Sequence, residues 1–391
     1  MGGYMNKGEK QMKICYIGNP QLIHLKRRIK YFVNKEHEVH VITPQPEEIE
    51  GAYIHDISPD AFYDMPTSFF YKIRVIGYFL NLLRRYRLVR QTKKIIKRIN
   101  PDLIDAHYLS HNGIFASQLK FHPLILTCWG SDILLDPDKY GYQHIRKIKK
   151  SFKKADLIAV ESKHMKKSVE KFVSADKIKI IPVGVDLKKF NSNISNGELQ
   201  KKIKNNDELV IISTRNFEPK YNIQCIVEAF YLLQQNYENT KLILLGTGTQ
   251  EKELKNQIKR LDIEKKIIFL GEIPHDEMPK YYNLSDIYVS SSLSDAMSVS
   301  KLEAMACGLI PVVSDIPANQ EIIKDGENGF IFKNNPEDLS NKLISCIECP
   351  TDIKKNIIKS NFKIIENTFN WENNMTQLFD LYKNICEIRK H

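Results

Sequence analysis

The stretch at residues 291–315 constrains the fold more than any other part of the chain, because apolar runs flank a helix-forming segment there. One run, DIYV at 286–289, precedes it, and a second, LIPVV, lies at 309–313. Residues 298–306 between them are rich in good helix formers and stop at Gly308. This order predicts a strand, a loop, a helix and a second strand of a parallel α/β fold.

Two carboxylates lie eight positions apart in this unit, Asp295 in the loop and Glu303 inside the helix. In a parallel α/β unit the loop that leaves a strand faces the ligand crevice, and the start of the helix presents unpaired N–H groups to anions. We expect the amides of Met297, Ser298 and Val299 to be those donors. The arrangement therefore suits a phosphorylated ligand, with the two acids at opposite ends of a sugar nucleotide.

The same stretch resembles the E-x7-E signature of retaining glycosyltransferases of the GT-B fold, specifically family 4. Asp295 stands where the family usually has Glu, Glu303 takes the second position, and the run EAMACGLIPVVSD is also similar. The resemblance implies that the first acid hydrogen-bonds hydroxyls of the donor sugar and that the second binds the ribose of the nucleotide. The alternative is an ordinary surface acid followed by a helical acid.

The chain length of 391 residues exceeds one ordinary core and predicts two domains. The sequence contains no run of eighteen apolar residues, so we expect no transmembrane helix. The first residues, MGGYMNKGEKQ, lack the apolar centre of a signal peptide. Seven scattered cysteines fit a reducing compartment. These features together predict a cytoplasmic location.

Positive charge is concentrated in the first half of the chain. Residues 1–185 hold 32 Lys and Arg against 18 Asp and Glu, whereas residues 186–391 hold 26 against 29. Residues 61–100 alone hold ten Lys or Arg and one acid, interleaved with eight large aromatic residues. This pattern favours a helix on an anionic membrane surface, at the inner face of the cell membrane. The alternative is that the aromatics face the core and the basic residues form a solvated face. No nucleic-acid-binding motif accompanies the charge, so we expect no nucleic acid partner.

The chain begins with a predicted β-α-β unit. The apolar runs KICYIG and EVHVIT are typical of buried strands, and HLKRRIKYFV between them has the spacing of a helix. This beginning resembles the N-terminal domain of the family, which often has a Gly-Gly loop after the first strand. Here Gly18 stands alone in that loop, and the resemblance implies that it lies at the donor.

Two later strands of this domain lead to residues that the resemblance places near the sugar or the acceptor. The run DLIDAH ends at His107, which matches a His of many members and is a candidate catalytic residue, with a structural histidine as the alternative. The run LILTC leads to Trp129, Gly130 and Asp132, which resemble the family's T-x-H-G-x-D loop with Trp in place of His. We expect Trp129 to stack on a sugar ring.

The second domain opens with the strand ELVIIST, and Arg215 and Lys220 follow in the next loop. This loop resembles the family's G-R-x-x-x-x-K loop, whose two cations would neutralise the diphosphate and the charge on the leaving group. An unrelated Arg and Lys would instead be solvated surface. The turn at Gly246 and Gly248 resembles the family's GxGP turn, where backbone approaches the nucleotide. The resemblance assigns three further donor contacts, namely Ile273, Ala296 and Glu321.

These features predict an α/β protein of the GT-B fold, with two Rossmann-like domains facing a cleft and a last helix that crosses back to the first domain. The expected parts are an acceptor-binding domain at 12–186, a nucleotide-sugar-binding domain at 207–369 and the crossover helix at 370–391. A polar run at 191–206 is the expected linker.

The expected function is retaining transfer of a sugar from a nucleotide sugar to a hydroxyl of a glycan or lipid-linked acceptor. UDP-hexose or UDP-N-acetylhexosamine is the favoured donor. No metal or other cofactor is expected, because Arg215, Lys220 and the helix amides would supply the positive field. Three alternatives remain open: a sugar-nucleotide 2-epimerase of the same fold, a non-catalytic partner of another glycosyltransferase, and a basic nucleic-acid-binding protein.

Overall fold

The structure is a computed structural model that describes residues 11–58, 74–204 and 208–388. Within these ranges, side chains are described except at 74–82, 136–140 and 198. The chain divides into two compact units. The first comprises Met1–Ile181 together with Met375–His391, and the second comprises Pro182–Asn374.

The first unit is built on parallel strands that alternate with helices. Its described strands are β1 (Lys13–Ile17), β2 (Glu38–Thr43), β3 (Ala52–Asp56), β4 (Leu103–His107), β5 (Leu124–Thr127), β6 (Leu157–Val160) and β7 (Ile178–Ile180). Its described helices are α1 (Ile23–Asn34), α2 (Arg74–Ile99), α3 (Ile114–Ala116), α4 (Ser131–Leu134), α5 (Asp136–Lys154) and α6 (Lys163–Glu170).

The second unit has the same alternation. Its described strands are β8 (Leu209–Ser213), β9 (Thr240–Leu245), β10 (Ile267–Gly271), β11 (Ile287–Ser290), β12 (Ile310–Ser314) and β13 (Phe330–Phe332). Its described helices are α7 (Gly197–Ile203), α8 (Ile223–Gln234), α9 (Glu251–Arg260), α10 (Met278–Leu284), α11 (Val299–Ala306), α12 (Pro317–Gln320), α13 (Pro336–Glu348) and α14 (Thr351–Thr368). The last helix is α15 (Trp371–Ile388).

The strand order in each sheet determines where loops meet. The first sheet has the order β3-β2-β1-β4-β5-β6-β7, the second has the order β10-β9-β8-β11-β12-β13, and the neighbouring strands pair in parallel. In the first unit the strands that follow β1 in the chain, β2 and β3, lie on one side of it, and β4 lies on the other side. In the second unit β9 and β10 lie on one side of β8, and β11 lies on the other. The strand order therefore reverses between β1 and β4 and between β8 and β11. Ligands of open α/β sheets bind beyond the carboxyl ends of strands at such a switch point.

Alternate residues of β8 show how the second sheet is buried on both faces. Ile211 packs on one side with Phe230 of α8, whereas Val210 and Ile212 pack on the other side with Leu302 of α11. Because side chains alternate across a strand, a strand covered by helices on both faces must be apolar throughout. This is why the apolar runs of the sequence predict most of the strands.

The last helix completes the core of the first unit. The Phe379 and Tyr382 rings of α15 lie 6.1 and 5.5 Å from the ring of Phe32 on α1. The Tyr382 hydroxyl donates a hydrogen bond of 2.5 Å to the fully buried carboxylate of Asp105 on β4. The Thr127 hydroxyl donates a second, at 2.7 Å. The C-terminal helix thus satisfies a buried charge as well as covering apolar surface.

We expect Tyr382→Phe to destabilise the protein by about 1.5–3 kcal/mol, because a buried carboxylate loses a hydrogen-bond donor while the aromatic packing is kept. Urea unfolding followed by tryptophan fluorescence measures the change. Tyr142→Phe is the control, because the Tyr142 side chain is 73% exposed. Equal unfolding midpoints for both variants would show that the buried hydrogen bond contributes nothing.

Strand β3 and helix α7 are among the elements that the sequence did not predict. The half-exposed strand β3 forms the edge of the first sheet, and no apolar run predicts it. The polar run at 191–206, expected to be a linker, contains helix α7, whose Ile203 is buried in the core of the second unit.

The segment expected at a membrane surface is described only in part. Residues 61–73 lie outside the described ranges, and residues 74–99 form α2. The buried positions Thr92, Ile96 and Ile99 lie on one face of α2. Tyr86 is 66% exposed and therefore does not face the core. Exposed basic residues include Arg84, Arg90, Lys94 and Lys97. Among the described helices, none combines the length and the apolar character needed to cross a bilayer.

Candidate functional site

Arg215 and Asp295, which are 80 positions apart, contact each other in the second unit. Arg215 lies just beyond β8 and Asp295 just beyond β11, and these strands are neighbours at the switch point. Nη2 of Arg215 donates to Oδ2 of Asp295, with side chains 10% and 17% exposed. Burial by itself would lower the pKa of Arg215, but Asp295 opposes it and the pKa is raised overall. The pair therefore presents a permanent cation beside an acid.

Arg215 also contacts the start of α11. Its Nη1 donates to the hydroxyls of Ser298 at 3.1 Å and Ser300 at 3.4 Å. Ser298 is the N-cap of α11, and its hydroxyl accepts the N–H of Lys301. The first amides of an α-helix have no partner within the helix, so those of Val299 and Ser300 remain available to an anion. The Arg215 guanidinium and the first amides of α11 are therefore close together.

Lys220 lies on the same loop as Arg215 and is exposed. Its Nζ is 4.7 Å from the centre of the Tyr221 ring, and the Arg215 guanidinium is 4.3 Å from that ring. Further hydrogen bonds tie this loop to the Asp295 loop. The Leu293 N–H donates to the Lys220 carbonyl at 2.8 Å, and the Ser291 hydroxyl donates to the Tyr221 carbonyl at 2.8 Å. Both expected phosphate-binding cations therefore lie around one aromatic ring.

Gly246 and Gly248 lie against the loop that carries Arg215. A Cβ on Gly246 would be 2.8 Å from the Arg215 carbonyl oxygen, and a Cβ on Gly248 would be 2.4 Å from the Phe217 carbonyl oxygen. Gly246 also has a φ of +139°, which favours glycine. A side chain at either position would therefore clash with the loop that carries Arg215. Contact of the two glycines with a nucleotide stays a prediction.

Glu303 is buried inside α11 and accepts a hydrogen bond from a residue that the sequence did not single out. Its Oε1 lies 2.7 Å from Nε2 of His275, and Nζ of Lys189 lies 2.9 Å from Nδ1 of the same ring. His275 follows Ile273 by two positions in the loop after β10. Nothing in the sequence pattern distinguishes this histidine, because its partners are distant in the chain.

Lys301 is a second charged residue that the sequence analysis missed. It is fully buried, and its Nζ donates to Oδ1 of Asn319 at 2.9 Å. Burial lowers its pKa to about 8, although Asp295 and Glu321 oppose the shift. Glu321 immediately follows α12, so the structure places this expected donor contact within electrostatic reach of Lys301.

Two other expected donor residues have well-defined surroundings. The Ala296 N–H donates to Oδ1 of Asp295 at 2.9 Å, which fixes the start of the loop that leads to α11. The side chain of Met297 packs in the core of the second unit. Contact of either residue with a donor stays a prediction, since these are contacts within the protein.

In the first unit, Gly18 and His107 meet at the ends of β1 and β4. A Cβ on Gly18 would be 3.2 Å from the His107 Cβ and 2.7 Å from Leu25 Cδ2, so the strand ends pack closely. His107 is buried, with Nε2 3.3 Å from Oδ2 of Asp105. Burial lowers the pKa of His107 despite the opposing carboxylate. The His107 ring centre lies 5.3 Å from that of Trp129.

Asp132 holds together the loops that follow β4 and β5. Its buried carboxylate accepts N–H groups from Leu109 at 2.7 Å, Trp129 at 3.0 Å and Gly130 at 2.9 Å. The Trp129 ring stacks on His24 with centres 4.9 Å apart. These contacts give Asp132 a structural role in shaping the loops at the carboxyl ends of β4 and β5. Contact of the Trp129 loop with a sugar stays a prediction. In the described ranges, no group of three or more His, Cys, Asp or Glu could hold a metal ion.

Two family models match the chain. The model described as glycosyl transferases group 1 matches residues 195–369, and the model described as glycosyl transferase 4-like matches residues 13–162. Together they cover more than half of the chain.

Several characterised proteins are similar in sequence. An alpha-monoglucosyldiacylglycerol synthase from Acholeplasma laidlawii is 24% identical over 77% of this chain and 78% of its own length. A UDP-Gal:alpha-D-GlcNAc-diphosphoundecaprenol alpha-1,3-galactosyltransferase from Escherichia coli is 29% identical over 54% of this chain and 56% of its own length.

Solved structures show the same fold. HepE from Anabaena, in complex with UDP and glucose, superposes with a TM-score of 0.75 at 18% identity and covers 96% of this chain and 100% of that one. Sucrose-phosphate synthase from Thermosynechococcus elongatus has a TM-score of 0.79 at 17% identity, with 96% and 99% covered. The α/β fold expected from the sequence is therefore confirmed.

Proposed function

This chain belongs to the group 1 glycosyltransferases of the GT-B fold, and on that premise we propose that it moves a sugar from a UDP-linked donor to an acceptor hydroxyl with retention at the anomeric carbon. One observation carries the proposal. Arg215, Asp295 and the start of α11 come together beyond the ends of β8 and β11, where a cation, an acid and free helix amides suit a sugar diphosphate.

The donor is assigned from the relatives and from the polar groups of the second unit. The E. coli relative is named for UDP-Gal, and HepE was solved with UDP and glucose. We assign UDP-hexose or UDP-N-acetylhexosamine to this chain. Arg215 and Lys220 bind the diphosphate, Asp295 accepts hydrogen bonds from the sugar hydroxyls, and Glu303 accepts them from the ribose.

The chemical step then follows from charge. The bond between the anomeric carbon and the β-phosphate oxygen breaks, which leaves negative charge on the diphosphate and positive charge on the sugar. Arg215, Lys220 and the α11 amides stabilise the diphosphate, and such preorganised groups are usually the largest catalytic contribution. The acceptor oxygen attacks the same face of the sugar and its proton passes to the departing phosphate oxygen, so the configuration is retained.

The acceptor is assigned to the carboxyl ends of β4 and β5 in the first unit, where His107 and Trp129 lie together. Two relatives are named for a diacylglycerol glycolipid and for a diphosphoundecaprenol-linked sugar. We therefore assign a lipid-linked or glycan hydroxyl as acceptor, in synthesis of surface polysaccharide, glycolipid or lipid-linked glycan.

Thermal unfolding with nucleoside diphosphates tests the donor assignment, because a ligand of the folded state raises its Tm. We expect UDP at 1 mM to raise Tm and ADP or GDP to raise it less. Each UDP-sugar is then incubated with a lipid-linked acceptor, and the anomeric proton coupling of the product reports retention. An epimerised donor in a reaction without acceptor, or a product of inverted configuration, would contradict the proposal.

The exposed basic face of α2 supports an anionic membrane surface as a further partner. Arg90, Lys94 and Lys97 are exposed and spaced so that they share one side of the helix. We expect Glu at all three positions to weaken binding to phosphatidylglycerol vesicles at least about 100-fold, since each basic residue contributes about 1 kcal/mol near such a surface.

Vesicle co-sedimentation at two salt concentrations measures this effect. The matched control carries Glu at three exposed lysines of α14, namely Lys355, Lys359 and Lys363. It changes the net charge by the same amount in the second unit. Equal loss of binding in the two variants would mean that total charge, and not the α2 face, determines attachment.

A further inference from the structure

We propose that His275 is a positioning residue for Glu303 and thereby a determinant of ribose recognition. The imidazole holds one carboxylate oxygen of Glu303, so that the other is presented to the ribose hydroxyls of the donor. The inference rests on the proposed function, since it requires a nucleoside diphosphate at Glu303.

The two contacts of the His275 ring determine where its proton lies. Nζ of Lys189 is 2.9 Å from Nδ1, and a lysine ammonium can only donate, so Nδ1 must accept. A neutral imidazole that accepts at Nδ1 carries its hydrogen on Nε2. Nε2 lies 2.7 Å from Oε1 of Glu303, and an ionised carboxylate can only accept. Both distances are satisfied by one neutral tautomer, in which Lys189 donates to His275 and His275 donates to Glu303.

The ring is also fixed by packing. The fully buried Phe190 ring lies 5.1 Å from the His275 ring at an angle of 50°. Lys189 pairs with Asp276 as well, so its ammonium is held on two sides. His275 is thus constrained at both nitrogens and against a buried aromatic ring. A side chain held in this way can orient a partner with little loss of conformational entropy when a ligand binds.

Glu303 itself has few other partners. It is 3% exposed in the middle of α11. In the ranges that the structure describes, His275 is the one side chain that donates a hydrogen bond to it. A carboxylate has about four acceptor positions, so Oε2 keeps its full capacity for hydroxyl donors. The geometry therefore assigns Oε1 to the protein and Oε2 to the ribose.

Calorimetric titration with two probes separates positioning from general damage to the site. The probes are UDP and 2′,3′-dideoxyuridine diphosphate, which differ only in the ribose hydroxyls. His275→Phe keeps a planar ring without donors, and His275→Gln places an amide N–H near the position of Nε2. Thermal unfolding of each variant establishes that it is folded.

We expect His275→Phe to bind UDP about 10-fold more weakly than the wild type, since it loses one hydrogen bond to a charged group. His275→Gln should recover most of this loss. Binding of the dideoxy probe should be the same in the wild type and in His275→Phe. In turnover, KM for the UDP-sugar should rise about 10-fold with little change in kcat.

Two results would overturn the inference. One is unchanged UDP binding by folded His275→Phe, and the other is equal weakening of UDP and the dideoxy probe, which would indicate a merely structural role. Failure of the proposed function looks different, because then the wild type itself would not bind UDP. In that case the inference falls together with the donor assignment.

Discussion

Lys220→Ala is expected to lower kcat by about 100- to 1,000-fold while leaving the fold intact. A preorganised cation facing the departing diphosphate contributes most in the transition state, and loss of one such group typically has this effect. The Lys220 side chain is exposed and lies over the Tyr221 ring, so its removal opens no cavity. Initial rates at saturating UDP-sugar measure kcat, and thermal unfolding measures the fold.

Two further variants test whether the loss of kcat is specific to the position and the charge of Lys220. Lys363→Ala removes an exposed lysine from α14 and should leave kcat unchanged. Lys220→Arg keeps the positive charge and should retain a substantial part of the activity, because the contribution is electrostatic. A kcat for Lys220→Ala within about threefold of the wild type would exclude Lys220 from the group that stabilises the leaving phosphate.

The sequence predicts the buried strands well because burial on both faces leaves a continuous apolar run. The run EVHVIT at 38–43 matches β2, Glu38–Thr43, in full. The edge strand β3 could not be predicted in this way. Its sequence AYIHD is half exposed and mixes polar with apolar residues, so the pairing with β2 and not its own pattern makes it a strand.

Helix α7 was missed for a related reason. The run at 191–206 is polar and contains Gly197, which is typical of a linker. Seven of its residues nevertheless form a helix that buries the side chain of Ile203. Leu199 of the same helix also packs against this core, and such tertiary contacts leave no periodic signal in the sequence.

The sequence indicated candidate residues for the site but not the contacts between them. Spacing and resemblance indicated Arg215 and Asp295, yet their ion pair depends on the adjacency of β8 and β11. His275 could not be foreseen at all, since its significance comes from Glu303 and Lys189, which are 28 and 86 positions away. The partners of a site residue come from topology, and one sequence does not contain that information.

The ion pair between Arg215 and Asp295 makes a further result expected. Either single alanine variant should lower kcat/KM at least about 100-fold, because each removes a donor contact and leaves its partly buried partner without a counter-charge. Asp295→Ala frees the guanidinium to leave the α11 hydroxyls, and Arg215→Ala leaves a carboxylate beside the incoming diphosphate. Each substitution thus disables both residues.

The double variant distinguishes this coupled pair from two independent contacts. If the residues act as a unit, Arg215→Ala with Asp295→Ala should lose about as much kcat/KM as the worse single variant. Independent contacts would instead multiply their losses to about 10,000-fold. The same cycle on Lys280 and Glu277, an exposed ion pair of the second unit, is the control and should show little coupling. If the losses in kcat/KM at Arg215 and Asp295 multiply, the ion pair between them does not contribute to donor binding. Asp295 would then contact the sugar without orienting the Arg215 guanidinium.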